Sequence, residues 1–317
     1  MIISIILLIF GFFLLIKGAD LFVDGASSTA QNFKVPKILI GLTIVAFGTS
    51  APEFAVSMQA LASGNTDMVL GNVIGSCILN ILLIIGIAAM IKPIKIKDNT
   101  VKKELPIALL ISTLLTVLML DIKLGNGLIN QITRSEAIVI ILFFSVFVYY
   151  LFALAKQNKE NNSVDKPKYG FIKSFLFVGI GLAGIIIGSD FVVKNAIEIA
   201  KTLGLSERII SLTIIAFGTS LPELVTTIVS SNKGEQDILV GNIIGSNIFN
   251  ICVVLGIPVA IFGTITPRSF SYIDLAMLVG SSLLLFIVSI TKKHITRFEG
   301  FLMLVAFITY YVLVFVI

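Results

Sequence analysis

Gly48-Thr49-Ser50-Ala51-Pro52-Glu53 returns 170 positions later as Gly218-Thr219-Ser220-Leu221-Pro222-Glu223, and this pair decides the fold of the 317-residue chain. Around it, Gly41–Asn80 and Ser211–Asn250 align without a gap, with 19 of 40 positions identical. In each copy a glutamate follows a proline within an otherwise apolar segment of helix length. A carboxylate in lipid is costly unless a partner or an ion neutralises it. Two of them at matching places in two repeats point to one shared cation site.

The chain is 57% hydrophobic and 13% charged, with a mean hydropathy of +1.06. Soluble domains carry roughly 25% charged residues, so this is an integral membrane protein. Several runs exceed the roughly 18 apolar residues that cross a bilayer as a helix, and they are continuous, not alternating. The net charge of +5 comes from lysines in loops and does not indicate nucleic acid. Cys77 and Cys252 lie in apolar helices and build no disulfide framework. The run Ile2 to Ile16 has no basic region before it and no small-residue cleavage site after it, so it reads as a retained first helix.

Ten spans are expected. They cover Ile2–Ala26, Val35–Ser63, Met68–Ile91, Leu105–Leu120, Ser135–Ala155, Phe171–Ile197, Glu207–Ser231, Ile238–Phe262, Tyr272–Ser289 and Phe298–Ile317. The polar stretch Lys156 to Tyr169 separates a first half, 1–155, from a second, 171–317, with a linker over 156–170. Five spans per half is an odd number, so the halves enter the membrane from opposite sides. The fold class is therefore all-α, ten transmembrane helices as two inverted-topology five-helix repeats, an architecture of secondary transporters. Gly18-Ala19-Asp20 and Gly188-Ser189-Asp190 extend the repeat. Sixteen lysines and arginines fall on the linker side of the spans and six on the other. The positive-inside rule then places the linker in the cytoplasm and both termini outside.

Proline removes a backbone donor and displaces the carbonyl four residues back, so carbonyls around Ala46 are expected to lose their partners. These carbonyls, the hydroxyls of Thr49 and Ser50 and the Glu53 carboxylate are hard oxygen ligands. Ala216, Thr219, Ser220 and Glu223 repeat the set. Calcium takes about 6–8 such oxygens, and sodium can use fewer of them. A plain proline kink explains one copy as well, but not two with a glutamate in register.

The third and eighth spans carry Gly71-Asn72-Val73-Ile74-Gly75-Ser76-Cys77-Ile78-Leu79-Asn80 and Gly241-Asn242-Ile243-Ile244-Gly245-Ser246-Asn247-Ile248-Phe249-Asn250. The glycines are explained by close helix approach. Ser76 with Asn80, and Ser246 with Asn250, share a helical face; they add neutral oxygens or bond between helices. Asp67 and Asp237 read best as helix N-caps. Asp20 and Asp190 suggest a shared structural contact, and Lys17 a snorkelling side chain.

With its paired GTS-x-PE and GN-x-x-GS motifs, the chain resembles the cation/calcium antiporter superfamily, on the sodium/calcium exchanger branch of prokaryotic type. The GN-x-x-E pattern of the proton/calcium branch is absent. The resemblance covers nearly the whole chain and implies antiport of Na+ for Ca2+ by alternating access. It places calcium at Glu53, Glu223 and the carbonyls of Thr49 and Thr219. Sodium would use Ser50, Ser76, Ser220, Ser246 and the carbonyls of Ala46 and Ala216, with a middle position near Asn80 and Asn250. Some relatives, including potassium-dependent ones, have aspartate where this chain has Asn250. Two carboxylates without a third argue against potassium dependence, and an H+- or K+-coupled calcium/cation exchanger is the alternative. The linker is too short for a large calcium-sensing domain.

Other classes are disfavoured. His294 is the single histidine, and HExxH, GxSxG and Walker sequences are absent, so neither an enzyme nor a cofactor is expected. An intramembrane acid pair could serve an aspartyl protease, but that chemistry uses aspartates in a different motif. A channel would more often show a filter loop. The expected partners are the transported Ca2+ and Na+ and the lipid of the cell membrane.

Overall fold

The computed structural model describes residues 2–124, 127–158, 167–204, 216–267 and 271–316, and most of them are helical. Lipid offers no hydrogen bonds, so the apolar runs satisfy their amides within helices. In chain order these are α1 (Ile2–Phe33), α2 (Lys37–Thr49), α3 (Ala51–Ala62), α4 (Thr66–Ile91), α5 (Leu105–Leu118), α6 (Asp121–Leu124), α7 (Arg134–Asn158), α8 (Phe171–Thr202), α9 (Ala216–Thr219), α10 (Leu221–Lys233), α11 (Gln236–Phe262), α12 (Tyr272–Lys292) and α13 (Arg297–Val316). Seven of them, α1, α4, α7, α8, α11, α12 and α13, are long and apolar enough to span a bilayer. The bent pair α2 and α3 makes an eighth. The fourth expected span is α5, 14 residues long and preceded by a π-helical turn over Thr100–Glu104. The first part of the seventh expected span lies outside the described residues. Helix α1 continues to Phe33, past the expected Ala26, because its last turns remain buried through Ala30.

The chain divides into two compact units, and neither coincides with a sequence half. One comprises Met1–Pro52 and Leu154–Asn242; the other comprises Glu53–Ala153 and Ile243–Ile317.

In the first unit α1 and α8 pack closely through glycines. A Cβ on Gly18 would lie 2.7 Å from Ile185 N, one on Gly188 2.6 Å from Leu15 N, and one on Gly25 2.7 Å from Val178 N. As the α1 number rises the α8 number falls, so the helices run antiparallel. Leu15, Ala19, Phe22 and Ala26 of α1 form a core with Ile185 and Val192 of α8, onto which Val225 and Val229 of α10 pack. At one end of this unit Lys37 pairs with Glu235 at 2.8 Å, Lys168 with Asp24 at 2.9 Å, and Asn32 Nδ2 donates to Tyr169 O at 2.9 Å. Lys233 joins them, 2.6 Å from Asp24 and 2.7 Å from Asp20. Asp190 instead pairs with Lys194 on its own helix, so the two equivalent aspartates do not share a contact.

In the second unit the loops meet in two groups, at opposite ends of α4. At one end β1 (Ile94–Lys95) pairs antiparallel with β2 (His294–Ile295), and Arg297 Nη2 donates to Ile91 O at 3.3 Å. At the other, Ile132 bridges Ile265 and Thr66 Oγ1 donates to Thr266 O at 3.1 Å. The residues Gly64 and Gly234, 170 apart, close their helices with φ of +76° and +75°, a conformation that favours glycine.

Candidate functional site

The two motif copies break their helices in the same way. Ser50 and Ser220 leave helical geometry with φ, ψ of −86°, 6° and −89°, 5°. A new helix then starts, with Pro52 or Pro222 in its first turn, where a missing N–H is tolerated. Helices α2 and α3 differ in direction by 45° across the break. The backbone donor that Pro52 lacks is the one that would reach Gly48. The Ala46 carbonyl is not bared, contrary to expectation: Ser50 N–H still reaches it at 3.0 Å. It keeps one lone pair for another donor or an ion.

Within the first unit, a residue of the first motif meets the glutamate of the second. Ser50 Oγ donates to Glu223 Oε1 at 2.8 Å, and both residues are buried, Glu223 completely. The Thr49 hydroxyl lies 3.0 Å from Asn242 Oδ1 and 3.1 Å from Val45 O. Asn242 Nδ2 in turn donates to Thr227 Oγ1 at 3.3 Å. Ser220 is buried, Thr219 is half-buried, and Ala216 opens α9.

Within the second unit the equivalent asparagine repeats this bracing. Asn72 Nδ2 lies 3.0 Å from Glu53 O and 3.0 Å from Ser57 Oγ. Glu53 is completely buried. Here the two GN-x-x-GS segments also meet: Asn80 Nδ2 donates to Asn247 Oδ1 at 3.0 Å, and Asn247 Nδ2 donates to Cys77 O at 3.2 Å. Ser76, Ser246, Asn80 and Asn250 are all buried. Both asparagines open π-helical turns, Asn80–Ile85 and Asn250–Leu255. Such widened turns recur at functional sites, and nothing in the local residue pattern announces them.

Asn72, Asn242 and Asn247 are not among the expected site residues, although the repeated Gly-Asn pair is a signal for the first two. Asn65, not Asp67, caps α4, its side chain accepting from Met68 N at 3.2 Å. Close approach explains Gly241, whose Cβ would lie 2.8 Å from Ile38 O, but not Gly71 or Gly75, which have nothing within 4 Å among the described residues. The latter two line a cavity of about 130 Å³ with Asp67, Asp274 and Tyr310.

Residues 38–91, 209–232 and 234–267 contain no lysine, arginine or histidine. The lysines that flank these stretches, Lys37 and Lys233, pair with Glu235 and with Asp20 and Asp24. Among the described residues no three His, Cys, Asp or Glu side chains cluster as a metal group. The polar groups these segments bury are carboxylate, hydroxyl, amide and carbonyl oxygens, the ligand type of hard cations rather than of softer metals.

The molecule is thus a multi-span helical membrane protein with buried acidic, oxygen-rich segments duplicated along the chain. The family model described as sodium/calcium exchanger protein matches residues 3–153 and 173–316, and the chain belongs to that family. CaxA of Alkalimonas amylolytica is 38% identical over 328 residues, covering 99% of each chain. The sodium/calcium exchanger MaX1 of Methanosarcina acetivorans is 30% identical over 347 residues, again covering 99% of each. A solved structure of the sodium-calcium exchanger NCX_Mj superposes with a TM-score of 0.83 at 31% identity, covering 98% of this chain and 97% of that one.

Proposed function

We propose that the protein exchanges Na+ for Ca2+ across the cell membrane by alternating access, with the ions bound near mid-membrane by the paired GTS-x-PE and GN-x-x-GS motifs. The observation that carries this reading is the burial of Glu53 and Glu223 at equivalent helix breaks. A carboxylate buried in a membrane is costly unless a positive charge neutralises it, and a transported cation can supply that charge. Calcium brings two charges to two carboxylates, and two sodium ions bring the same. Ca2+ would use Glu53, Glu223 and the Thr49 and Thr219 carbonyls. Na+ would use Ser50, Ser76, Ser220 and Ser246 with the Ala46 and Ala216 carbonyls, and Asn80 and Asn250 would face a middle position. Neither ion is a resident cofactor; both are cargo.

The same reading takes the chain as ten spans in two inverted five-helix repeats, joined by a cytoplasmic linker, with both termini outside. The antiparallel run of α1 and α8, which hold equivalent places in the repeats, supports the inversion. The loop groupings support the sidedness: loops counted on one side meet each other, and β1–β2 and the 132–265 bridge lie at opposite ends of the second unit.

Calcium-45 uptake into proteoliposomes tests the function. Vesicles loaded with sodium and diluted into sodium-free buffer should concentrate calcium, and collapsing the gradient should release it. Equal uptake with potassium or proton gradients in place of sodium would replace the coupling ion. Uptake that never exceeds equilibrium would exclude an exchanger.

A further inference from the structure

Asn247 and Cys77 hold the same place in the two repeats, and within the second unit they face one another. Each side chain reaches the other's backbone. Asn247 Nδ2 donates to Cys77 O at 3.2 Å, and Cys77 Sγ lies 3.8 Å from Asn247 O. The symmetry ends at the next contact. Asn80 Nδ2 donates to Asn247 Oδ1 at 3.0 Å, but the mirrored bond would run from Asn250 to position 77, where a thiol is only a weak acceptor. Among the described residues, Asn80 accordingly has one polar side-chain atom, Oδ1, without a hydrogen-bond partner, whereas both polar atoms of the Asn250 amide have none. Asn80 and Asn250 are completely buried and Asn247 nearly so.

We propose that Asn247 is a positioning residue for the cation site: it holds the Asn80 amide by its nitrogen and so presents the Asn80 oxygen to the ion. The inference rests on the ion-binding role given above to Asn80 and adds a residue that need not touch the ion. A primary amide has two opposed faces. Turned by half a rotation it offers NH2, whose partial positive charge repels a cation; oxygen outward, it is a hard ligand. A bond to the nitrogen selects the second orientation before the ion arrives, which lowers the ordering cost of binding. Asn247 is itself fixed by its bond to Cys77 O, so the two contacts form a clamp across one face of α4. Asn250, with no such partner among the described residues, is not held in this way and contributes less per ion bound.

Equilibrium calcium-45 binding to the purified protein, read beside sodium-driven uptake, tests this. Asn247→Ala should weaken calcium binding about tenfold, the worth of one well-placed hydrogen bond, and Asn80→Ala should do the same. The double variant should bind no more weakly than Asn80→Ala alone, because Asn247 acts through Asn80. Asn247→Ala combined with Asn250→Ala should show the product of the single losses. The reverse swap, Cys77→Asn, gives Asn250 an acceptor of its own and should tighten calcium binding. Multiplicative losses in the Asn247–Asn80 pair, wild-type affinity in Asn247→Ala, or no gain in Cys77→Asn would overturn the clamp. If the unchanged chain binds calcium yet fails to exchange it, the antiport reading falls and the cycle still decides the clamp. If it binds no calcium, both fall.

Discussion

Glu53 and Glu223 are each completely buried, and at this scale charge dominates every other term. Glu→Gln keeps shape and most hydrogen bonding but halves the negative charge available to a divalent ion. Removing one partner of a buried charge pair costs about 3–5 kcal/mol, so Glu53→Gln and Glu223→Gln should each lower calcium exchange by at least about a hundredfold. Normalising calcium-45 uptake to folded protein makes this a test of the ligand set, and near-normal exchange by either variant would remove that glutamate from it. Ser50→Ala should be milder. It deletes the 2.8 Å bond to Glu223 Oε1 but no charge, and about a tenfold loss is expected in the sodium dependence of uptake.

Among the elements, the α1–α8 pair shows how small residues set helix position. Gly→Ala in a helix normally gains about 0.5–1 kcal/mol through lower backbone entropy. At Gly179, where a Cβ would meet nothing within 4 Å among the described residues, that gain should appear as a slightly higher Tm in detergent. At Gly181 the same Cβ would lie 2.5 Å from Phe22 N and 2.7 Å from Gly18 O. Backbone atoms cannot step aside as a side-chain tip can, so about 1–3 kcal/mol of overpacking should outweigh the propensity gain. Gly181→Ala is expected to melt several degrees lower than Gly179→Ala. Equal melting temperatures would mean that α1 and α8 do not pack this closely. The repeat places Gly18 opposite Gly188 in sequence, but only the packed helices show that each meets the opposite helix through main-chain atoms.

For the whole molecule, the proposed alternating access gives exchange over leak if switching occurs only when the carboxylates are neutralised. If one calcium is exchanged for two sodium ions, no net charge crosses; if for three, one does. The second case makes the rate depend on voltage at about 2.3 kcal/mol per charge per 100 mV across the full membrane. Sodium-loaded proteoliposomes clamped with potassium and valinomycin should show calcium uptake that changes with imposed potential. Voltage-independent uptake would set the ratio at two. At the loop ends, the Asp98 carboxyl is held below the usual carboxylate range by its hydrogen bond to Lys293, 2.8 Å away. A depressed folded-state value contributes stability above the unfolded carboxylate range that is lost as pH falls through the folded one. The pair is exposed, so the effect on unfolding should be small and confined to acid pH.

Membrane residence, helical class, the duplication and the paired acids were all legible in the sequence, because each depends on local chemistry. Lipid forbids open amides, twenty apolar residues have one stable form, and a carboxylate among them needs a reason that repetition supplies. Family membership, too, could be read from the two motif pairs. Other features required the folded chain. The Ser50–Glu223 bond joins residues 173 apart, and no local pattern encodes such a meeting. The π-helical turns at Asn80 and Asn250, the bracing by Asn72 and Asn242, and the hold of Asn247 on Asn80 depend on which helix faces end up opposed. So does the division into two units that each draw on both repeats. Apolar composition selects helices and lipid alike but leaves their partners open. Glycines and buried amides choose those partners, through backbone approach and hydrogen bonds that exist only once the helices have packed.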